Sequence, residues 1–237
     1  MILVGGLSPA WQQIMQFERI LPGEVNRADD VLWCASGKVL NVALALGTLQ
    51  ADARTVSPIG GLTGEAIRAE FDRLGIAADW VTTTVPTRVC TTLLDKQTGR
   101  TTELVENSPP IQADELKAFR AAFRQHTSTA STIVVTGSLP AGTPSTYFRE
   151  LLAGTTAKTV LDIRGLELQE ALAIGPTVVK PNREELGMTV GHELTTDEDL
   201  LQAMRQLNAA GAEWVIVSQG PERLLASSLS ELYEFLP

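Results

Sequence analysis

Thr132-Ile133-Val134-Val135-Thr136-Gly137-Ser138 decides the fold. An apolar, β-branched run closed by a glycine reads as a buried strand that hands over to a loop. The pattern returns at Val160-Leu161-Asp162-Ile163, at Val178-Val179 and at Trp214-Val215-Ile216-Val217. Helical stretches separate these runs, at 112–126, 144–154, 165–173, 182–190 and 196–210. The last opens on Thr195-Thr196-Asp197-Glu198, a capping start, and carries Leu200, Leu201, Met204 and Leu207 at helical spacing. Such alternation predicts an α/β domain of three layers, with a mostly parallel sheet between helices.

Toward the N-terminus the rhythm changes. Residues 38–48 read as a small-residue apolar helix and 63–74 as an amphipathic one. Segments 14–20, 29–35, 79–84, 88–95 and 100–106 read as strands outside the strand–helix alternation. The last two flank Asp95-Lys96-Gln97-Thr98-Gly99, a hairpin turn. They predict a small accessory sheet, a lid, with strands within 12–35 and 78–106 of one domain spanning 1–237. At the other end, Arg223–Ser228 and Glu231–Pro237 read as a hairpin.

With 44% apolar and 20% charged residues, 19 Gly and 12 Pro in 237, the chain has an ordinary globular composition. Its 19 Lys and Arg against 28 Asp and Glu leave a net charge of −9. That balance argues against nucleic acid or an anionic membrane as partner, yet leaves room for a small anion held by a few cations in one cleft. Cys34 and Cys90 fit neither a disulfide framework nor a zinc site, which suits a reducing compartment. Met1-Ile2-Leu3-Val4-Gly5-Gly6 lacks the basic flank and the length of a signal peptide, so a cytoplasmic location is expected. Gly37-Lys38 is not a P-loop, because Leu32 and Val39 stand where Gly and Ser or Thr belong. Gly60-Gly61-Leu62-Thr63-Gly64 is spaced wrongly for a dinucleotide fingerprint, and Thr136-Gly137-Ser138-Leu139-Pro140 lacks the glycines of a nucleophile elbow. His126 and His192 stand apart from each other and from both cysteines, so no metal cluster is expected.

Four segments keep the order and chemistry of one superfamily. Ser36-Gly37-Lys38-Val39-Leu40-Asn41-Val42-Ala43 resembles the GGKGxNVA opening of the PfkB/ribokinase-like sugar kinases. Ile59-Gly60-Gly61-Leu62-Thr63-Gly64-Glu65 is similar to their following glycine segment, Lys180-Pro181-Asn182-Arg183-Glu184-Glu185-Leu186 to their KPNxxE motif, and Ser218-Gln219-Gly220 to their nucleotide-facing turn. Pro22-Gly23-Glu24-Val25-Asn26-Arg27 and Thr87-Arg88 are most similar to the phosphosugar branch, the 1-phosphofructokinases and tagatose-6-phosphate kinases.

The resemblance implies a ribokinase-like fold, ATP with Mg²⁺, and a ketohexose phosphate such as fructose 1-phosphate, fructose 6-phosphate or tagatose 6-phosphate. On the sugar side it places Gln12, Gly37, Lys38, Asn41, Arg88 and Ser138. On the nucleotide side it places Lys180, Asn182, Ser218 and Gly220, with Glu185 reaching the metal through water. Asn26 and Arg27 would cross from the lid of one subunit to its neighbour, which implies a homodimer formed through the lid. The residues alone leave alternatives. Gly37 lets backbone approach either a ligand or another strand. Asn182 and Glu185, three apart at a helix opening, suit either the waters of a hydrated Mg²⁺ or a capping box, and the two roles can coexist. Asp162, at a strand end, suits orienting a loop or a water.

Two departures from the family pattern stand out. Ser8-Pro9-Ala10-Trp11-Gln12 takes the place of NPAxD, so Gln12 replaces a sugar-binding aspartate, while Ser36 and Val39 replace glycines. Between Ser218 and Pro237 there is no counterpart of the GAGD motif, which supplies the family's backbone anion hole and its base. The expectation is therefore a fold with its C-terminal part missing, no assignable catalytic base, and apolar sheet surface left open. Two other readings stand beside the sugar kinase: a non-catalytic nucleotide- or sugar-binding chain, and a nucleoside kinase of the same superfamily.

Overall fold

The computed structural model describes residues 1–236; Pro237, where the hairpin reading ends, lies outside the described residues. In chain order the elements begin with strands β1 (Ile2–Gly5), β2 (Ala10–Phe17) and β3 (Asp30–Ser36), then helix α1 (Lys38–Thr48). Strand β4 (Ala53–Ile59), helix α2 (Gly61–Leu74) and strands β5 (Ala78–Thr82), β6 (Val89–Asp95) and β7 (Arg100–Val105) follow. The alternating half runs α3 (Ala113–Thr127), β8 (Thr132–Thr136), α4 (Tyr147–Leu152), β9 (Lys158–Asp162), α5 (Gly165–Ala171), β10 (Val178–Val179), α6 (Arg183–Val190) and α7 (Asp197–Ala209). It closes with β11 (Trp214–Ser218), β12 (Leu224–Ser227) and β13 (Leu232–Phe235).

Nine strands form the main sheet in the order β13-β12-β11-β10-β9-β8-β1-β4-β5, parallel except for the antiparallel β11–β12–β13 end. A second sheet, β3-β2-β6-β7, is the lid. This is the three-layer, mostly parallel architecture expected from the apolar runs. The segment expected at 79–84 is not part of the lid: β5 pairs parallel with β4 at the edge of the main sheet, the second strand of a β4–α2–β5 crossover. The lid strand expected at 14–20 lies earlier, at Ala10–Phe17, where it pairs with both β3 and β6.

One apolar cluster packs the sheet against α3, α4, α5, α6 and α7, through Leu3, Phe119, Phe123, Ile133, Leu161, Leu200, Met204 and Val215. On the opposite face a smaller cluster of Val4, Val39, Leu40, Ile59, Ile67 and Phe71 joins α1 and α2 to the sheet. That second cover reaches only as far as Val134. Along one register row Val134 is followed by Val160, Val178 and Trp214, all part-exposed, and Trp214 meets the ring of Tyr233 at 6.0 Å. Tyr233 and Phe235 continue this open apolar face, with Phe235 55% exposed.

Candidate active site

Two crossings set the floor of the site. At the first, Gly37 has φ +88, and a Cβ there would stand 2.8 Å from the Ser8 carbonyl oxygen. The space that glycine opens is taken by the Ser8-Pro9-Ala10 backbone, so close packing of α1's start against the entry to the lid by itself calls for a glycine here. At the second, Gly60 is extended and hemmed in by the carbonyls of Thr83 and Val85, 2.6 and 2.2 Å from a built Cβ. The Gly60 N–H donates to Thr87 Oγ1 at 3.0 Å, and the Thr87 N–H donates back to the Gly60 carbonyl at 2.8 Å. Glu115 pins the same loop by accepting from the Thr84 N–H and hydroxyl. Its carboxyl stays below the ordinary range: burial pushes it up, but the hydrogen bonds from Thr84 and Gln112 outweigh that push. Arg88 is delivered by this loop.

Ser8, Lys38, Arg88, Gly137, Ser138, Asp162, Ile163, Arg164 and Glu185 line a cavity of about 180 Å³ at the carboxyl ends of β8 and β9. Such ends are where open α/β sheets place their sites. Lys38, on the first turn of α1, puts Nζ 3.2 Å from Asp162 Oδ1 and 2.9 Å from Glu185 Oε1. Burial alone would lower the Lys38 ammonium and raise the Glu185 carboxyl. Their mutual hydrogen bond and charge outweigh it, so Lys38 is raised and Glu185 lowered. Arg88 donates from Nε to the Pro9 carbonyl, from Nη1 to Glu106 and from Nη2 to Ser8, which fixes the guanidinium at the lid hinge. Three of its five N–H donors are so used, and two remain.

Asn182 and Glu185 form the capping box of α6: Asn182 Oδ1 accepts from the Glu185 N–H at 2.8 Å, and Glu185 Oε2 from the Asn182 N–H at 3.0 Å. Asn182 also makes a β-bridge to Ser218, which brings the KPNxxE segment beside the turn that holds Gly220. Lys180, just past β10, is exposed. The structure thus gathers Lys38, Arg88, Ser138 and Glu185 into one cavity, and sets Lys180, Asn182, Ser218 and Gly220 among the neighbouring strand ends and turns.

Other candidates sit apart. Gln12 is on the lid, flanked in register by Cys34 and Cys90, and its amide donates to Thr92 Oγ1 at 2.7 Å. Asn41 is exposed on the first turn of α1. Asn26 closes its own loop through Leu21 and Glu24, and Arg27 is exposed beside it; neither lines the cavity. His126, on the last turn of α3, pairs with Asp79 of β5, as a helix-end residue. Ser8, at the head of the Ser8–Gln12 segment, and Arg164, which belongs to no motif, also line the cavity; the sequence signal for Arg164 is its place two residues after the strand-end Asp162.

Asp162 and Glu185 converge on one cation, the Lys38 ammonium. A donor set of two carboxylates suits a hydrated Mg²⁺ that brings its own waters and phosphate ligands. Among the described residues no group of three His, Cys, Asp or Glu could hold a metal by itself. A larger groove of about 700 Å³ follows α6, but its Arg183 is engaged by the Leu194 and Thr196 carbonyls. The smaller cavity gathers three cations, Lys38, Arg88 and Arg164, beside the carboxylates of Asp162 and Glu185.

A family model described as "pfkB family carbohydrate kinase" matches residues 10–237. Among solved structures, the tetrameric inhibited form of phosphofructokinase-2 from Escherichia coli superposes with a TM-score of 0.89 at 26% identity, covering 100% of this chain and 79% of that one. The same enzyme in complex with fructose-6-phosphate gives 0.88 at 25%, covering 100% and 80%. A possible 1-phosphofructokinase from Thermotoga maritima gives 0.89 at 19%, covering 99% and 77%, a likeness of fold.

Proposed function

The chain belongs to the pfkB family of carbohydrate kinases, and from that premise we propose that its site joins ATP to a ketohexose phosphate for in-line phosphoryl transfer. The observation that carries this is the cationic cavity of Lys38, Arg88 and Arg164 in a chain of net charge −9. Arg88, anchored at the hinge with two N–H donors to spare, suits the acceptor's phosphate, and the Ser138 hydroxyl suits its sugar. Gln12 in place of aspartate offers amide hydrogen bonds without charge, so sugar selection rests more on neutral groups and on Arg88. Asn182 and Ser218 face the nucleotide, with Lys180 and Gly220 beside them. Mg²⁺, held through water by Glu185 with Asp162, would neutralise charge on the phosphates. The lid exposes Leu32 at 56%, Trp33 and Val105; pairing of two lids would cover them and carry Asn26 and Arg27 toward the neighbouring subunit.

A second reading, nucleotide and sugar binding without turnover, stands beside it. An ADP-release assay with fructose 1-phosphate, fructose 6-phosphate and tagatose 6-phosphate separates the two. ADP release that depends on one of these sugars and is lost in Arg88→Ala supports the kinase. Substrate binding with no ADP release supports the second reading.

A further inference from the structure

Three cations line the cavity, and they differ in how their donors are committed. Lys38 is bonded to Asp162 and Glu185. Arg88 is bonded to three carbonyls. Arg164, among the described residues, makes no side-chain hydrogen bond; its one ionic neighbour, Glu185 Oε1, lies 3.9 Å from Nη1 and is already bonded by Lys38. A pair at that distance, with the guanidinium half in water, adds little stability. Nor does the Arg164 side chain cap α5, whose N-cap position it occupies. A planar fork of donors without a hydrogen-bond partner, lining a cavity, is suited to a bidentate anion.

Its place decides which anion. Arg88 enters from the lid hinge, whereas Arg164 stands beside Glu185 at the start of α6, on the side of Asn182 and Ser218. We propose that Arg164 is a substrate-contacting residue whose guanidinium binds the terminal phosphate of a nucleoside triphosphate. This deepens, and rests on, the kinase function proposed above. Beside Lys38, whose ammonium is shared with two carboxylates, Arg164 adds the positive charge of a guanidinium that has no hydrogen-bond partner of its own.

Calorimetric titration of the full chain with inorganic triphosphate, ATP and AMP, in the wild type, Arg164→Ala and Arg164→Lys, tests the assignment. Loss of one charge-assisted contact weakens triphosphate and ATP by about ten- to a hundredfold in Arg164→Ala. Arg164→Lys restores part of the loss, while AMP affinity and the urea midpoint stay at their wild-type values. Should Arg164→Ala lose its fold, Arg164→Gln carries the same comparison. Equal affinity of wild type and variant for triphosphate and ATP overturns the assignment, as does a wild-type chain that binds no triphosphate. Arg164-dependent triphosphate binding without use of any sugar would keep the residue's role and remove the kinase reading. Turnover of a phosphosugar with unchanged ATP affinity in Arg164→Ala would do the reverse.

Discussion

Replacing Lys38 by Met keeps the length and bulk of the side chain and removes its charge and its hydrogen-bond donors. The ammonium holds two carboxylates, and Lys38 is 44% exposed while Glu185 is 10% exposed. A hydrogen bond to a charged group contributes about 1.5–3 kcal/mol when shielded, against about 0–1 kcal/mol for a solvated pair. This triad lies between the two limits, so Lys38→Met should cost about 1–2 kcal/mol at neutral pH. The pH dependence fixes the mechanism. The folded-state Glu185 carboxyl is lowered, so its contribution is present above the ordinary carboxylate range and is lost as pH falls through the lowered value. The Lys38 ammonium is raised, so its contribution is present below the ordinary lysine range and is lost as pH rises through the raised value. Urea denaturation of wild type and variant at neutral pH and well below the ordinary carboxylate range reads the difference, since the Glu185 contribution is lost as pH falls through its lowered value. The penalty should shrink markedly at the lower pH. A penalty of equal size at both would mean that Lys38 acts through packing alone and would refute the electrostatic reasoning.

Three further outcomes are expected. Gly60→Ala drives a Cβ against the Val85 and Thr83 carbonyls; it should cost about 1–3 kcal/mol in urea denaturation and weaken phosphosugar binding, because Arg88 follows the strained loop. A change below about 0.5 kcal/mol would show that the loop yields freely. Asn182→Ala loses the α6 cap at about 1 kcal/mol, whereas Asn182→Asp keeps the cap but sets a negative charge toward the phosphates; stability should hold and ATP affinity fall. Unchanged ATP affinity in Asn182→Asp would remove Asn182 from the nucleotide side. The open face of Val160, Val178, Trp214, Tyr233 and Phe235 should bind a hydrophobic fluorescent dye, with Phe235→Lys reducing the signal; a wild-type chain dark to the dye would show that face to be covered in solution.

Sequence pattern was informative where one physical cause dominated. β8, β9, β10 and β11 announced themselves because each is an apolar, β-branched run with one face in the core. β4 did not, since Arg54, Ser57 and Pro58 interrupt Ala53–Ile59. The fold tolerates them: β1 pairs only with Ala53 through Val56, so Pro58 faces no β1 ladder, and the Ser57 hydroxyl donates to the Gly6 carbonyl. β5 was misplaced because its strand pattern does not say which of two sheets will accept it. In the site, the α6 capping box was legible locally, as three-residue spacing always is. The triad of Lys38, Asp162 and Glu185 was not, because its bonds span 124 and 147 residues of sequence. Arg164 carries no motif at all, and only the convergence of strand ends shows where it stands.

The most direct test of a phosphosugar site is calorimetric titration of the chain with fructose 6-phosphate, tagatose 6-phosphate and fructose 1-phosphate beside their unphosphorylated sugars, in wild type and Arg88→Ala. One phosphosugar should bind the wild type at least tenfold more tightly than its parent sugar, and Arg88→Ala should erase that margin. Equal affinity for sugar and sugar phosphate, or a margin that survives Arg88→Ala, would contradict it.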